Sequence, residues 1–498
     1  MARTMRLAIV GAGFSGIGMA IRLRQQGIDD FVILERAGDL GGTWRDNSYP
    51  GCACDVQSTL YSFSFAPNPH WSRTFSPQGE IWEYLRRCAR NFDIDRHFVF
   101  GEEVSAATWD DASQQWKLTS TSGEWRASGM ILANGPLSEP VTPTLDGLDR
   151  FAGHVFHSAR WDHAYPLHGK RVAVIGTGAS AIQFVPKIQP AVERLHVFQR
   201  TPPWIMPRRD RAIPGWRRAL YRRAPAAQRA ERAALYALRE AMFLPFRHPG
   251  ASRIVESIAR RHLAAQVHDR ALRERLTPDY RIGCKRILLS DDYYPAIAMP
   301  NVTLVTDRIA AVSAGGIVTA DGRERPVDAI ILGTGFRATD PPLSPFIRNG
   351  VGQTLAEAWR GSPQAYMGTT VAGFPNLFFL LGPNTGLGHS SVMLMVEAQI
   401  AHVLGVLSLM DRRGAGAIEP RAEAQARYVT SIDERLAPTV WNSGGCKSWY
   451  LDATGRNSAL WPDGVGRFRR TVTQVDAADY RVIPHAGAPA TARGMQHA

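Results

Sequence analysis

Two glycine fingerprints, starting 165 residues apart, constrain this chain more than any other feature. The first, Gly11-Ala12-Gly13-Phe14-Ser15-Gly16, follows the apolar run Leu7–Val10. It opens the helical pattern SGIGMAIRLRQQG, after which FVILE reads as a second strand. This is a βαβ unit with GxGxxG in its turn. Gly11 permits the tight turn, Gly13 lets backbone approach a pyrophosphate, and Gly16 lets helix and strand close on each other. The helix start then offers free N–H groups and its positive dipole end to the phosphates. The second fingerprint, Gly176-Thr177-Gly178-Ala179-Ser180-Ala181, follows RVAVI and precedes the strand-like LHVFQ, with alanine in the third place. A chain with both is predicted to be α/β, with two Rossmann-like dinucleotide-binding domains.

The residue closing each second strand selects the nucleotide. Glu35 lies 19 residues beyond Gly16, where a carboxylate accepts hydrogen bonds from a ribose 2′-OH. The second unit ends in Phe198-Gln199-Arg200-Thr201, with no carboxylate at that place. The Arg200 guanidinium suits a 2′-phosphate through charge-assisted hydrogen bonds. The second site is therefore expected to take NADPH and the first FAD, a flavin being able to accept a hydride from NADPH and pass electrons on. The five cysteines contain no CxxC pair, which argues against a dithiol redox centre, a zinc ribbon or a disulfide framework. Cys52 and Cys54 read as ordinary buried thiols, and no metal site is expected. Oxygen or a diffusible acceptor remains as the electron sink.

At 498 residues, with 45% hydrophobic and 21% charged residues, the chain is long and apolar enough for about three globular domains. The reading assigns an FAD-binding domain to 1–145 and 336–484, and an NADP-binding domain to 146–207 and 278–335. A helical insertion takes 208–277, broken by Pro214, Pro225, Pro245 and Pro249, and a disordered tail takes 485–498. The net charge of +13 is uneven: Arg208 to Arg275 holds 17 Arg against 6 acidic residues. Such an excess can serve an acidic membrane surface or a nucleic acid, but these arginines alternate with Ala and Leu at helical spacing, as in RAERAALYALREAMF, which predicts a solvated helical face ahead of a weak membrane-surface role, with nucleic acid last. With no cleavable leader pattern and no run of 18 apolar residues, no stable membrane insertion is expected, and the predicted setting is reducing and cytoplasmic.

Between the two units, Phe151-Ala152-Gly153-His154-Val155-Phe156-His157-Ser158-Ala159-Arg160-Trp161-Asp162 reads FxGxxxHxxxW(P/D). In this the chain resembles the Baeyer–Villiger monooxygenases, class B flavoprotein monooxygenases of the flavin-containing monooxygenase superfamily. Related flavin-containing monooxygenases end the motif in Phe or Tyr, so Trp161 favours the Baeyer–Villiger branch. Phe151, Gly153, His157 and Trp161 are its defining residues, on a segment placed to couple cofactor binding to domain motion. The resemblance extends over nearly the full chain, through Gly41-Gly42-Thr43-Trp44, Tyr49-Pro50-Gly51, Asp55, Lys285-Arg286, Gly382-Pro383-Asn384 and Trp449-Tyr450. Its small departures are Gln57, where many relatives have Pro, and Asn134 within Ala133-Asn134-Gly135. Neither is expected to touch the chemistry.

The resemblance implies that NADPH reduces FAD, that reduced flavin and O₂ form a C4a-peroxyflavin, and that this attacks a ketone to give an ester or lactone. Sulfoxidation is an implied side activity, so the expected partners are a small ketone or sulfide and O₂. A peroxide anion and the oxyanion it creates need a permanent cation, and arginine stays protonated, which suits Arg286; Asp55 would orient it. Both are the implied catalytic residues. Besides the fingerprint glycines, Glu35 and Arg200, the implied cofactor-binding set is Ser15, Gly42, Thr43, Trp44, Asp55, Tyr61, Val104, Thr177, Ser180, Gln183, Thr201, Lys285 and Trp449. Two other readings use the same cofactors: a heteroatom monooxygenase acting on N or S, and an uncoupled NADPH oxidase.

Overall fold

Three parallel strands, β1 (Arg3–Val10), β2 (Phe31–Glu35) and β3 (Phe98–Phe100), begin the first sheet in the order β1-β2-β3. The computed structural model to which they belong describes residues 3–485. Helix α1 (Phe14–Gln25) links β1 to β2; α2 (Thr43–Asp46) and α3 (Gln78–Asn91) follow. All five residues of β2 are buried, as a parallel strand covered on both faces requires. The meander β4 (Val104–Asp110), β5 (Gln115–Ser120) and β6 (Gly123–Leu132) brings β6 back parallel to β1 on its other side. Val10 pairs with both Leu34 and Leu132, so Gly11, Glu35 and Ala133 share one edge of the sheet.

The second sheet repeats that arrangement. Strands β7 (His154–His157), β8 (Arg171–Ile175), β9 (Arg194–Phe198), β12 (Val302–Val305) and β16 (Ala329–Leu332) are all parallel, in the order β12-β9-β8-β16-β7. Helix α4 (Ala181–Ile188) follows the second glycine turn. Ile175 pairs with Phe198 and Leu332, which sets Gly176, Gln199 and Gly333 on one edge. Open α/β sheets bind ligands outside the carboxyl ends of their strands, and both glycine turns lie there. The chain leaves for the insert through β10 (Ile205–Met206) and returns through its parallel partner β11 (Leu288–Leu289). Helix α10 (Tyr293–Ile297) and the small sheet β13 (Ile309–Val312), β14 (Gly316–Thr319) and β15 (Glu324–Pro326) complete this region.

The insert holds α5 (Gly215–Arg223), α6 (Pro225–Ala241), α7 (Leu244–Arg247), α8 (Pro249–Gln266) and α9 (Arg270–Arg275). Its prolines sit at the cap or within the first two positions of a helix, where the missing N–H costs nothing. The expected solvated, charged face is corrected in α6. Gln228 and Arg239 are buried and Glu231, Arg232 and Glu240 half-buried, whereas Ala226, Ala230, Ala233, Ala237, Leu238 and Ala241 are exposed. The polar stripe faces inward because it finds hydrogen-bond partners there. Gln228 donates to Asn68 O at 2.6 Å, Arg232 to Thr59 O and Leu60 O at 3.0 Å, and Glu240 accepts from Val465 N at 2.9 Å.

The C-terminal part returns to the first sheet. β17 (Ile347–Arg348) joins β4 and, after α11 (Leu355–Trp359), β18 (Leu377–Phe379) pairs with Met130–Leu132 of β6. Helix α12 (Val392–Arg412) is long and apolar enough by length and mean hydropathy to cross a bilayer, although Glu397, Gln399 and His402 interrupt its apolar run; it is mostly buried and packs on α1 and on α15 (Val465–Val472). β19 (Ala415–Pro420) pairs with β20 (Tyr480–Pro484), enclosing α13 (Ala422–Leu436) and α14 (Val440–Ser443). The two crossings between the sheets run side by side: Val141 N donates to Gly335 O at 2.9 Å and Arg337 N to Glu139 O at 3.0 Å. Of the tail expected over 485–498, residues 486–498 lie outside the described residues.

The expectation of no disulfide is also corrected, because Cys284 and Cys446 are joined across a separation of 162 residues. Spacing arguments detect pairs close in sequence, and these two meet only through the fold. Cys52, Cys54 and Cys88 are free and buried.

Candidate active site

The two glycine turns have matching backbone conformations: Gly11 and Gly176 both have φ +107°. A Cβ on Gly11 would lie 2.9 Å from Ala133 O, and one on Gly176 would lie 2.4 Å from Gly333 O, so each position excludes a side chain. A Cβ on Gly16 would fall 2.0 Å from Gly11 O, whereas the corresponding Ala181 is accommodated. Gly178 has open space where its Cβ would stand, and Gly13 has only Gly42 Cα, at 3.8 Å. Neither α1 nor α4 has a side-chain cap at its N-terminus. Open backbone in front of uncapped helix starts fits a pyrophosphate at both turns.

Glu35 is only 5% exposed. Its Oε2 accepts from Ala12 N at 2.8 Å, and its Oε1 accepts from Ala37 N at 3.0 Å and Arg45 Nη1 at 3.1 Å. Glu35 thus braces the glycine turn, and a carboxylate with about four acceptor sites keeps room for a ribose hydroxyl. Ser15 is buried in the first turn of α1. Val104 is buried at the start of β4, two residues beyond Glu102, whose N–H donates to Glu35 O. Gly42, at φ +52°, abuts Gly13 just before Thr43 and Trp44. Trp44 Nε1 donates to Tyr61 OH at 3.1 Å, and Tyr61 lies edge-on to Phe14 at 5.3 Å.

At the second turn Thr177 is buried and Ser180 and Thr201 are half-buried, while Arg200 is exposed at the end of β9. Lys285 lies within the field of Arg200: burial first, then the Arg200 charge, holds its pKa below the usual lysine value against the opposing pull of Asp279. Two cations at this sheet edge, one of them the exposed guanidinium fork of Arg200, fit a 2′-phosphate.

Asp55 and Arg286 meet across 231 residues. Arg286 donates through Nε at 3.0 Å and Nη2 at 2.5 Å to Asp55 Oδ2. This occupies one edge of the guanidinium and leaves Nη1 free of Asp55, and the side chain stays 36% exposed. Burial raises the Asp55 pKa, but the charges of Arg286 and Arg239 and the Arg286 hydrogen bond outweigh it, so the carboxyl sits below its ordinary value. The Asp55 charge in turn raises Arg286 further above the ordinary arginine value. Tyr450 lies within the field of this pair; burial first pushes its phenol up to about 12. Trp449 is 46% exposed.

Sequence reasoning missed two further arginines. Arg239 of α6 donates to Gln57 Oε1 at 3.0 and 2.7 Å and to Asp55 O at 3.4 Å. Arg208 Nη2 donates to Cys54 O at 3.1 Å. Residues 54–57 are thereby held by arginines from the start of the insert, from within it and from beyond its end. Gln57, not expected to touch the chemistry, makes no bond to the Asp55 or Arg286 side chain, but its amide anchors Arg239 beside Asp55. Its departure from the proline of many relatives was the available signal.

The two units are clasped at Gln183. Its Oε1 accepts from Tyr49 OH and Ala53 N, both at 3.2 Å, and its Nε2 donates to Ala53 O at 3.0 Å. Trp161 of the Phe151–Asp162 motif lies 5.2 Å from Phe184, which lies 5.9 Å from Tyr49. A Cβ on Gly153 would fall 2.5 Å from Asp328 O and from the Phe151 ring, so only glycine fits. His157 is buried; its Nδ1 accepts from Ala159 N at 3.0 Å, and burial, then Arg160, lowers its pKa, so the ring is neutral at the linker beside Phe336.

A family model described as flavin-binding monooxygenase-like matches residues 4–354. The chain is 51% identical over 494 residues to a Baeyer-Villiger monooxygenase of Streptomyces coelicolor, covering 99% of this chain and 95% of that protein. It is also 51% identical to one of Pseudomonas aeruginosa, covering 97% of this chain and 92% of that protein. Among solved structures it is similar to a closed crystal structure of cyclohexanone monooxygenase, with TM-score 0.87 and 30% identity over 97% of this chain and 100% of that one. An oxidized steroid monooxygenase bound to NADP gives TM-score 0.85 and 32% identity, with the same coverage of both chains.

Proposed function

We propose, from the premise that this chain belongs to the flavin-binding monooxygenase-like family and within it to the Baeyer–Villiger monooxygenases, that it inserts one atom of O₂ into ketones, giving esters or lactones. Bound FAD and NADPH would supply the reducing equivalents and the activation of O₂. The first glycine turn with Glu35 would hold FAD; the second, with Arg200 and Lys285, would hold NADPH. The observation that carries the reading is Arg286, fixed by Asp55 along one edge and exposed beyond it. A guanidinium that cannot lose its proton, aimed from a rigid partner, stabilises negative charge developing on a ketone oxygen. Asp55 is the positioning residue, and its depressed pKa keeps it ionised through the neutral range. A thioether would be oxidised to a sulfoxide as a side activity. A cytoplasmic location suits an enzyme that draws on NADPH.

The test is a panel of ketones, thioethers and amines, with NADPH consumption and product both measured under ¹⁸O₂. The expected label is in the single-bonded ester oxygen, while the carbonyl oxygen remains that of the ketone. Arg286→Ala is expected to retain FAD and some NADPH oxidation and to lose ester formation. Ready amine oxidation without any ester would replace this reading with heteroatom oxygenation. Stoichiometric hydrogen peroxide across the panel would replace it with an oxidase.

A further inference from the structure

Six of the twelve exposed large apolar side chains among the described residues sit in the insert: Trp216, Leu220, Leu238, Met242, Leu244 and Ile254. The insert is a seventh of the chain, so this is a concentration. Its longest exposed stretch is the outer side of α6, where Ala226, Ala230, Ala233, Ala237 and Ala241 recur at helical spacing beside Leu238 and Met242. The inner side of the same helix carries the polar groups already satisfied by protein, Gln228, Arg232, Arg239 and Glu240. The helix is inverted relative to the pattern of a surface helix, which turns its apolar stripe to the core. A continuous exposed apolar face of this kind marks an interaction surface.

The charge around that face chooses the occupant. Arg222, Arg223, Arg229 and Arg253 are exposed and make no ion pair among the described residues. The window from Arg208 to Arg275 carries 17 Arg against 6 acidic residues. A second copy of this chain would bring that charge against itself. A nucleic acid would use the arginines and leave the leucine, methionine and tryptophan side chains unmatched. An anionic lipid surface matches both, taking apolar side chains into the boundary with the acyl chains and arginines among its headgroups.

We propose that the outer face of α6, with Trp216 and Leu220 of the packed helix α5 and Leu244 just beyond its C-terminus, docks this enzyme reversibly on an anionic bilayer surface. No segment spans the bilayer in this arrangement. The docked helix is the one whose inner side holds Arg239 against Asp55 and Gln57, which places the lipid about one helix diameter, roughly 10 Å, from that cluster. Apolar substrates dissolved in lipid would then meet the enzyme on this side.

The experiment is co-sedimentation of the FAD-loaded protein with vesicles of phosphatidylcholine alone and of phosphatidylcholine with about 30% phosphatidylglycerol, at low and high salt. The expected result is at least about tenfold stronger binding to the anionic vesicles, weakened by salt. The double variant Leu238→Glu, Met242→Glu is expected to lower that binding at least about tenfold while NADPH oxidation in solution is unchanged. If that variant fails to retain FAD, Arg222→Gln and Arg229→Gln serve instead, each lowering the partition coefficient about fivefold. No binding, equal binding to both vesicles, or variants that bind like the parent would overturn the proposal. A lipid-free dimer that the double variant dissociates would also overturn it, assigning the face to a second copy.

Discussion

Arg286 and Arg239 both place their charge on Asp55, but only Arg286 hydrogen-bonds its carboxylate; Arg239 donates to Gln57 and a backbone oxygen. Gln57→Ala removes the acceptor of two N–H groups of a charged donor, and such bonds contribute about 1.5–3 kcal/mol. The expected outcome is unchanged FAD content with kcat for ester formation lowered about tenfold or more, measured beside NADPH oxidation. An unchanged kcat would confine Arg239 to tying α6 down. At the second turn, Arg200→Ala is expected to raise the KM for NADPH about 10–150-fold with little effect on that for NADH, since only the former carries a 2′-phosphate. Equal losses with both coenzymes would remove Arg200 from that role.

At the level of elements, the βαβ units were legible because their determinants are local. Gly11 and Gly176 report their own backbone angle, and apolar runs such as FVILE report burial on both faces. Arg239, Arg208 and Tyr450 were not legible as neighbours of Asp55, since each arrives from another element and periodicity carries no distance. Periodicity also shows which residues of α6 share a face without showing which face turns inward; the carbonyls of Asn68, Thr59 and Leu60 decide that. His402 of α12 shows how such long-range contacts set stability. Its Nδ1 donates to Val472 O at 2.6 Å and its Nε2 accepts from Tyr480 OH at 2.7 Å, joining α12 to α15 and β20 as a neutral ring. Burial lowers its pKa from 6.5 to about 4. Between those values the unfolded chain takes up a proton that the folded one refuses, so stability falls as pH drops from 6.5 towards 4, by up to about 3 kcal/mol. Urea midpoints at pH 7 and 4.5 are expected to differ less in His402→Gln than in the parent, and an equal difference would exclude this residue as the source.

For the whole molecule, the Cys284–Cys446 bond ties the segment carrying Lys285 and Arg286 to the one carrying Trp449 and Tyr450. Thiol titration of the air-exposed, denatured protein is expected to find three groups, Cys52, Cys54 and Cys88, rising to five after reduction. Five before reduction would rule the bond out. The native protein is expected to react slowly, since burial pushes the Cys52 thiol up to about 12 and Cys88 to about 11. The return of β18 to β6 has a consequence for synthesis. The second sheet, whose strands span His154–Leu332, is continuous in sequence and can form as it leaves the ribosome. The first cannot, because Met130–Leu132 wait for Leu377–Phe379, which emerge 245 residues later. At roughly 5–20 residues per second that is on the order of 10–50 s during which an apolar strand edge stands open, so the sheet begun first is finished last.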